Sequence, residues 1–155
     1  MSTQIDEITL DYVLDLLLEL VVIQVNADAA DIFLLDKITA QPIFYKGMGL
    51  QKISSLSEQN HSWKGLIWRV IQKRDLVSLP NIWIESSSLV RGPLFKQERF
   101  VSYHGIPLAV AGKIFGVLEV FHRQELTPNS AWFQLFRNLA EQASNALEIS
   151  YLSDE

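Results

Sequence analysis

From Thr9 to Val25 apolar residues recur at steps of three and four: Leu10, Val13, Leu14, Leu17, Leu18, Val21, Val22 and Val25. This is the period of a helix. Leu16, Leu20 and Ile23 widen the apolar stripe beyond one face, while Asp11, Asp15 and Glu19 line the rest at spacing four, so the helix is expected to pack on two sides. Residues Ala30 to Leu35 and Pro42 to Lys46 are short runs rich in β-branched and aromatic residues, joined by Asp36-Lys-Ile-Thr-Ala-Gln, and they read as paired strands. Gly47, Gly49 and the Ser54 to Ser62 stretch form a loop, with Ser62 as the N-cap of a helix from Trp63 to Lys73. Leu76 to Leu79 is a short strand stopped by Pro80, followed by a long irregular segment from Asn81 to Gly92 and a helical turn over Leu94 to Arg99. Two further strands, Phe100 to Ala111 and Lys113 to His122, meet at Ala111-Gly112. Thr127 caps a long final helix with Pro128 at its first position and Trp132, Leu135, Phe136, Leu139, Ala143, Ala146 and Leu147 at helical spacing.

The 155 residues suit a single domain over 1–155, and no internal repeat or linker interrupts them. With 48% hydrophobic and 20% charged residues the composition is that of a folded globular chain. A net charge of −5, with Lys and Arg scattered, leaves no concentrated basic face for nucleic acid. The absence of cysteine removes disulfides, thiolate metal sites and thiol nucleophiles. The most apolar stretch, Tyr12 to Val25, contains Asp15 and Glu19, each costing about 2.5 to 3.5 kcal/mol at a bilayer centre, so no membrane span is expected. The acidic amino terminus lacks the basic start of a secretory signal, which points to a cytoplasmic home.

A resemblance rests on Ala-Ala-Asp-Ile-Phe-Leu-Leu-Asp at Ala29 to Asp36, Gly65 opening a helix, Ser-Leu-Pro-Asn at Ser78 to Asn81, and Tyr103-His-Gly-Ile-Pro-Leu followed by Gly116-Val-Leu-Glu-Val. With the order of elements, these resemble the GAF domain over nearly the whole chain. They look like the GAF modules attached to bacterial histidine kinases, HD-GYP phosphodiesterases and diguanylate cyclases. The resemblance implies an α+β fold: an antiparallel sheet of five or six strands, terminal helices on one face, and a loop-roofed cleft on the other. It implies a non-catalytic sensory module that binds a small ligand and signals to an output domain. Asn81 stands where many members have Asp, and Arg74-Asp75 where a Gly is common. Relatives that attach bilins or reduce methionine sulfoxide use cysteines, which this chain lacks, and the Asn-Lys-Phe-Asp-Glu signature of cyclic-nucleotide-binding members is missing too.

If Ala111-Gly112 is a two-residue turn with Val110 opposite Lys113, regular pairing sets His104 opposite Glu119. Ser102, Ile106, Leu108, Phe115, Val117 and Phe121 then share their face, while Gly105, Ala109, Gly116, Leu118 and Val120 take the other, where small residues admit the helices. By elimination the His104 and Glu119 face lines the cleft, apolar with a polar centre. The same pair also reads as an ordinary cross-strand contact contributing about 0.2 to 1 kcal/mol. Pro107 marks a candidate bulge that would move His104 out of register. The candidate ligand-binding set is Phe33, Trp83, Arg91, Phe95, Ser102, His104, Ile106, Val117, Glu119 and Phe121. Arg91 is suited to clamp an anionic group and Trp83 to stack on a ring, although surface solvation and a flexible Ser86-Ser87-Ser88 loop explain that segment equally well.

No metal-ligand spacing joins His61, His104 and His122, and no serine elbow is present, so neither a metal centre nor a catalytic set is expected. The ligand or cofactor is left unidentified. Two roles stay open: a ligand-binding sensor, or a ligand-free spacer whose cleft is filled by its own side chains. In both, the apolar helices predict a homodimer.

Overall fold

A computed structural model describes residues 7–51, 64–84 and 93–153. The Ser62 cap, Trp63, His61, the Ser86-Ser87-Ser88 run and Arg91 lie outside the described residues. The chain runs α1 (Glu7–Gln24), β1 (Ala29–Leu35), β2 (Pro42–Met48), α2 (Lys64–Lys73), β3 (Val77–Leu79), α3 (Pro93–Glu98), β4 (Ser102–Val110), β5 (Lys113–His122) and α4 (Ser130–Ser153). All neighbouring strands are antiparallel, in the order β2-β1-β5-β4-β3. The fold is therefore α+β with five strands, as the resemblance implied.

Local chemistry explains the joints. Asn26 closes α1 in the left-handed conformation, with the Ala27 N–H donating to Val22 O at 3.0 Å. Asp36 builds the β1–β2 turn, its Oδ1 accepting from the N–H groups of Ile38 at 2.9 Å and Thr39 at 2.8 Å. The final helix begins two residues after the expected proline: Asn129 is its cap, with Oδ1 accepting from Trp132 N–H at 2.9 Å. The amide side chain supplies the acceptor that the first turn needs, so Thr127 and Pro128 fall before the helix.

One core cluster lies between the sheet and the terminal helices. Leu14, Leu18 and Val21 of α1 and Phe136, Leu139 and Leu147 of α4 meet Ile32, Ile106, Leu118 and Val120 of the strands. Trp132 Nε1 donates to Val25 O at 3.0 Å and Tyr151 Oη to Leu35 O at 3.3 Å, so α4 runs alongside β1 and opposite in direction to α1. A second cluster covers the other face, where α2 and α3 bring Leu66, Ile67, Val70 and Phe95 onto Phe33, Tyr103, Val117 and Phe121.

The β4–β5 register departs from regular pairing. Val110 does pair with Lys113 and Ala109 with Ile114, but the next pair is Leu108 with Gly116. Phe115 is the extra residue of a bulge, and its ring turns to the helix side, packing edge-on against Tyr151 at 4.8 Å. Beyond the bulge His104 pairs with Val120 and Gly105 with Glu119. The expected pairing of His104 with Glu119 is thereby corrected, and the bulge sits at Phe115, whereas Pro107 is in register opposite Val117.

Candidate functional site

The one-residue slip sorts the candidate residues onto two faces, because opposite partners in a ladder share a face and neighbours along a strand alternate. Phe33, Phe95, Val117, Glu119 and Phe121 are fully buried together away from the terminal helices. Phe121 stacks on Phe100 at 4.6 Å, and Phe95 meets Phe100, Tyr103 and Phe121 edge-on. Trp83 stands at the margin, 47% exposed, its indole N–H donating to Phe100 O at 2.9 Å.

Ser102, His104 and Ile106 lie on the helix face instead, with Leu108 and Phe115, while Gly105 belongs to the cleft side. His104 packs against Trp132 at 4.8 Å and Phe133 at 6.0 Å. Burial, and after it the neighbouring His122, pulls the His104 pKa down to about 4. A neutral imidazole between indole and sheet is a core residue, not a cleft residue.

The polar centre of the cleft face is built otherwise. Asp31 of β1 stands directly opposite Glu119 of β5, and both are fully buried. Tyr103, also fully buried, donates its hydroxyl to Glu119 Oε2. The row across the sheet reads Gly47, Asp31, Glu119, Gly105. At Gly105 a Cβ would lie 2.4 Å from Tyr103 Oη and 2.8 Å from Val70 Cγ2, so glycine is what lets the phenol lie along β4 to reach Glu119. At Gly47 a Cβ would lie 2.8 Å from Leu50 Cδ1 and 3.0 Å from Phe44 Cζ. The two glycines flanking the carboxyls in this row give room to Leu50 and Phe44 at one end and to the Tyr103 phenol at the other.

Burial first, and the Glu119 charge second, hold the Asp31 carboxyl well above its ordinary pKa. The two carboxyls stand side by side across the strands, and neither oxygen of Asp31 meets a hydrogen-bond partner among the described residues. Tyr103 is raised by the same two causes, in the same order, with Arg69 of α2 acting weakly against them. Asp31 and Tyr103 carry part of the family resemblance but were not among the candidate ligand-binding residues. The available signal was one carboxylate in the middle of the apolar run Ala29–Leu35.

Around this row the electrostatic ties are structural. Arg123 holds Glu98 at the end of α3 through Glu98 O at 2.7 Å and Oε1 at 2.8 Å, with its guanidinium 5.1 Å from the Phe100 ring centre. Lys46 of β2 reaches Asp15 of α1 at 3.1 Å. Hollows of about 330 Å³ beside Val25, Asp28, His122 and Trp132, and of about 410 Å³ beside Lys37, Lys113 and Tyr151, lie away from the acid row. Among the described residues no group of three or more acidic or histidine side chains gathers to hold a metal ion. No helix among them is long and apolar enough to cross a membrane.

The geometry can be set beside known proteins. No curated protein matches the chain. Among solved structures it is similar to the GAF domain of a phosphoenolpyruvate-protein phosphotransferase from Coxiella burnetii, at 18% identity over 94% of this chain and 86% of that one, with a TM-score of 0.79. A GAF domain/HD domain protein from Geobacter sulfurreducens matches at 19% identity over 94% and 97%, with a TM-score of 0.76. The GAF domain from an Acinetobacter phosphoenolpyruvate-protein phosphotransferase matches at 21% over 97% and 87%, with a TM-score of 0.72. At these identities the likeness shows the fold. The family model described as "GAF domain" matches residues 7–148, and the chain accordingly belongs to the GAF domain family, the sensory and regulatory modules of signalling proteins.

Proposed function

We propose that this chain is a non-catalytic cytoplasmic sensor that takes a small molecule on the sheet face opposite the terminal helices. It relays the event through those helices, paired with a second copy, to an output domain. The observation that carries the reading is the buried polar row of Asp31, Glu119 and Tyr103. A face that served only as filler is more stable without carboxyls, because each buried charge must be neutralised or compensated. The strands themselves supply a route. Glu119 on the cleft side is followed by Val120 on the helix side, and Tyr103 by His104, which touches Trp132 of α4. A ligand that favours one setting of these strands biases α4 by population shift.

Pairing is supported by large apolar side chains left exposed on α1. Tyr12, Leu16, Leu20 and Ile23 follow one another at four, four and three residues and form one stripe. Ile149 and Leu152 extend the apolar exposure at the end of α4. The alternative reading, a ligand-free dimerising spacer, draws on the packing of Phe95, Phe100, Tyr103 and Phe121, which fills much of the cleft face.

A thermal-shift screen over small metabolites separates the two. A ligand at 100 times its dissociation constant adds about 2.7 kcal/mol of stability, and a silent screen favours the spacer. For the dimer, light scattering after size exclusion is expected to give twice the chain mass for the wild type and one chain mass for the Leu16→Glu, Ile23→Glu double variant. A wild-type monomer at high concentration would refute the helix-paired relay.

A further inference from the structure

Between the end of α1 and the first turn of α4, on the helix side of the sheet, lies the hollow of about 330 Å³. Its size falls at the lower end of small-molecule sites. Val25, Leu126 and Trp132 give it apolar walls, His122 a buried polar one, and Asp28 and Glu125 stand exposed at its rim. No lysine or arginine lines it. Arg123, the next residue after His122, directs its guanidinium to Glu98 and the Phe100 ring. Its backbone N–H fixes Asp28 in place, donating to Oδ2 at 2.6 Å.

His122 gives this hollow its chemistry. Ser102 Oγ, both ring nitrogens of His104 and Nδ1 of His122 are buried on the helix face and meet no partner among the described residues, and of these three side chains only His122 lines the hollow. Burial, ahead of its other surroundings, lowers the His122 pKa, so the ring is neutral and one nitrogen alone carries a proton. Nε2 stands 3.4 Å from Val25 O, a group that only accepts, which sets the proton on Nε2 and leaves Nδ1 a bare acceptor. The Trp132 indole N–H cannot serve it, being given to the same carbonyl at 3.0 Å. A buried acceptor left without a donor weakens the fold, so a molecule that brings one is favoured.

Ligand classes divide on these features. An anion would meet two carboxylates and no lining cation. A neutral apolar molecule would fill the hollow and leave Nδ1 without a donor. A metal ion is too compact, because among the described residues no three acidic or histidine side chains converge on one point. What fits is an extended molecule with positive charge and N–H donors, and the Trp132 ring favours it further. We infer that this hollow is a site for a small organic cation of the amine or amidine class, with an N–H group toward His122, its charge held by Asp28 and Glu125, and its body against Trp132. The site shares no residue with the row of Asp31, Glu119 and Tyr103, so it goes beyond the sensor reading and does not rest on it.

The test titrates the full chain with matched probes: putrescine against butanediol and succinate, and phenethylamine against phenethyl alcohol and phenylacetate. Binding is read from the indole N–H signal of Trp132 in proton–nitrogen spectra, assigned by its loss in Trp132→Phe. The expected result is that at least one amine shifts this signal and binds more tightly than its neutral and anionic counterparts. The Asp28→Asn, Glu125→Gln double variant, altered only at exposed rim positions, weakens that amine by about tenfold or more. His122→Phe, which keeps a ring and removes the acceptor, weakens it as well. Near-ultraviolet circular dichroism checks that this second variant stays packed, and if it does not, the rim variant carries the test. A neutral or anionic probe that binds here as tightly as the amine would overturn the inference, as would an amine whose affinity the rim variant leaves unchanged. So would a response to zinc in place of the amines, or no shift of the Trp132 signal by any amine at about 10 mM, well above the range of a specific small-molecule site. None of these outcomes touches the cleft, whose ligand screen stands by itself.

Discussion

Asp31 on β1 stands directly opposite Glu119 on β5, and the Tyr103 hydroxyl donates to the second of these buried carboxyls and not to the first. Burial and the neighbouring carboxylate favour the protonated form of Asp31, which ties the protein's stability to pH.

Removing that tie is expected to stabilise the fold. Asp31 is held above its ordinary pKa, first by burial and then by Glu119. As pH rises past the unfolded value near 4, the unfolded chain gives up its proton while the folded one keeps it, and stability falls until the folded pKa is passed. Asp31→Asn is neutral in both states. Its melting temperature should exceed the wild type at neutral pH, and by more at pH 8 than at pH 5. An equal gain at both would mean that folding does not raise the Asp31 pKa.

His104 acts in the opposite window. Its pKa is lowered to about 4 by burial and by His122, against about 6.5 in the unfolded chain. Between those values the unfolded state binds the proton more readily, so stability is full above about pH 6.5 and falls as the pH drops, by about 1.4 kcal/mol per pH unit for this one group. His104→Phe should flatten the acid side of a stability profile measured by urea melts from pH 7 to 4. A slope that persists unchanged would assign the acid sensitivity elsewhere.

Arg123 fastens α3 over the cleft by its two bonds to Glu98, whose side chain is fully buried. Arg123→Ala takes one charged partner from a buried carboxylate, and the expected cost is about 2 to 3 kcal/mol. For a domain of this size that is a fall in melting temperature of about 4 to 12 °C. A loss under about 0.5 kcal/mol, in the range of ordinary exposed pairs, would show that the clamp adds little.

At the β4–β5 turn Ala111 has φ 52 and Gly112 φ 82, the paired left-handed conformation of the tightest hairpins. Alanine is poorly suited to that setting, and Ala111→Asn should gain about 0.5 to 1 kcal/mol, read as a rise of about 1 to 4 °C. A drop in melting temperature would contradict the turn geometry.

Much of this architecture was legible in the chain because it is written in periodicity. The stripes of α1 and α4, the short apolar strands and the Ala111-Gly112 turn follow from spacing alone, and their elements appear where expected to within a few residues. The register did not follow, since counting back from a turn assumes one partner per residue and Phe115 has none. That single residue moved His104, Ser102 and Ile106 to the helix side and left Glu119 in the cleft with a different companion. Its true companions, Asp31 and Tyr103, sit 88 and 16 positions away and are joined to it only by strand pairing, which no local pattern encodes. Arg74, noted as standing where glycine is common, does adopt a positive φ of 58, so the backbone demand persists there with a side chain that donates to Gly112 O.

The bulge at Phe115 carries a last implication for how this molecule tolerates change. A deletion of Phe115 would restore unbroken alternation and leave every partner beyond it as it is, because Leu108 already stands opposite Gly116. Leu118 and Val120 would keep the helix side, and Glu119 the cleft side. One residue inserted past Gly116 would instead exchange the inward and outward sides of the rest of β5, so the strand can absorb a loss at the bulge but not a gain beyond it.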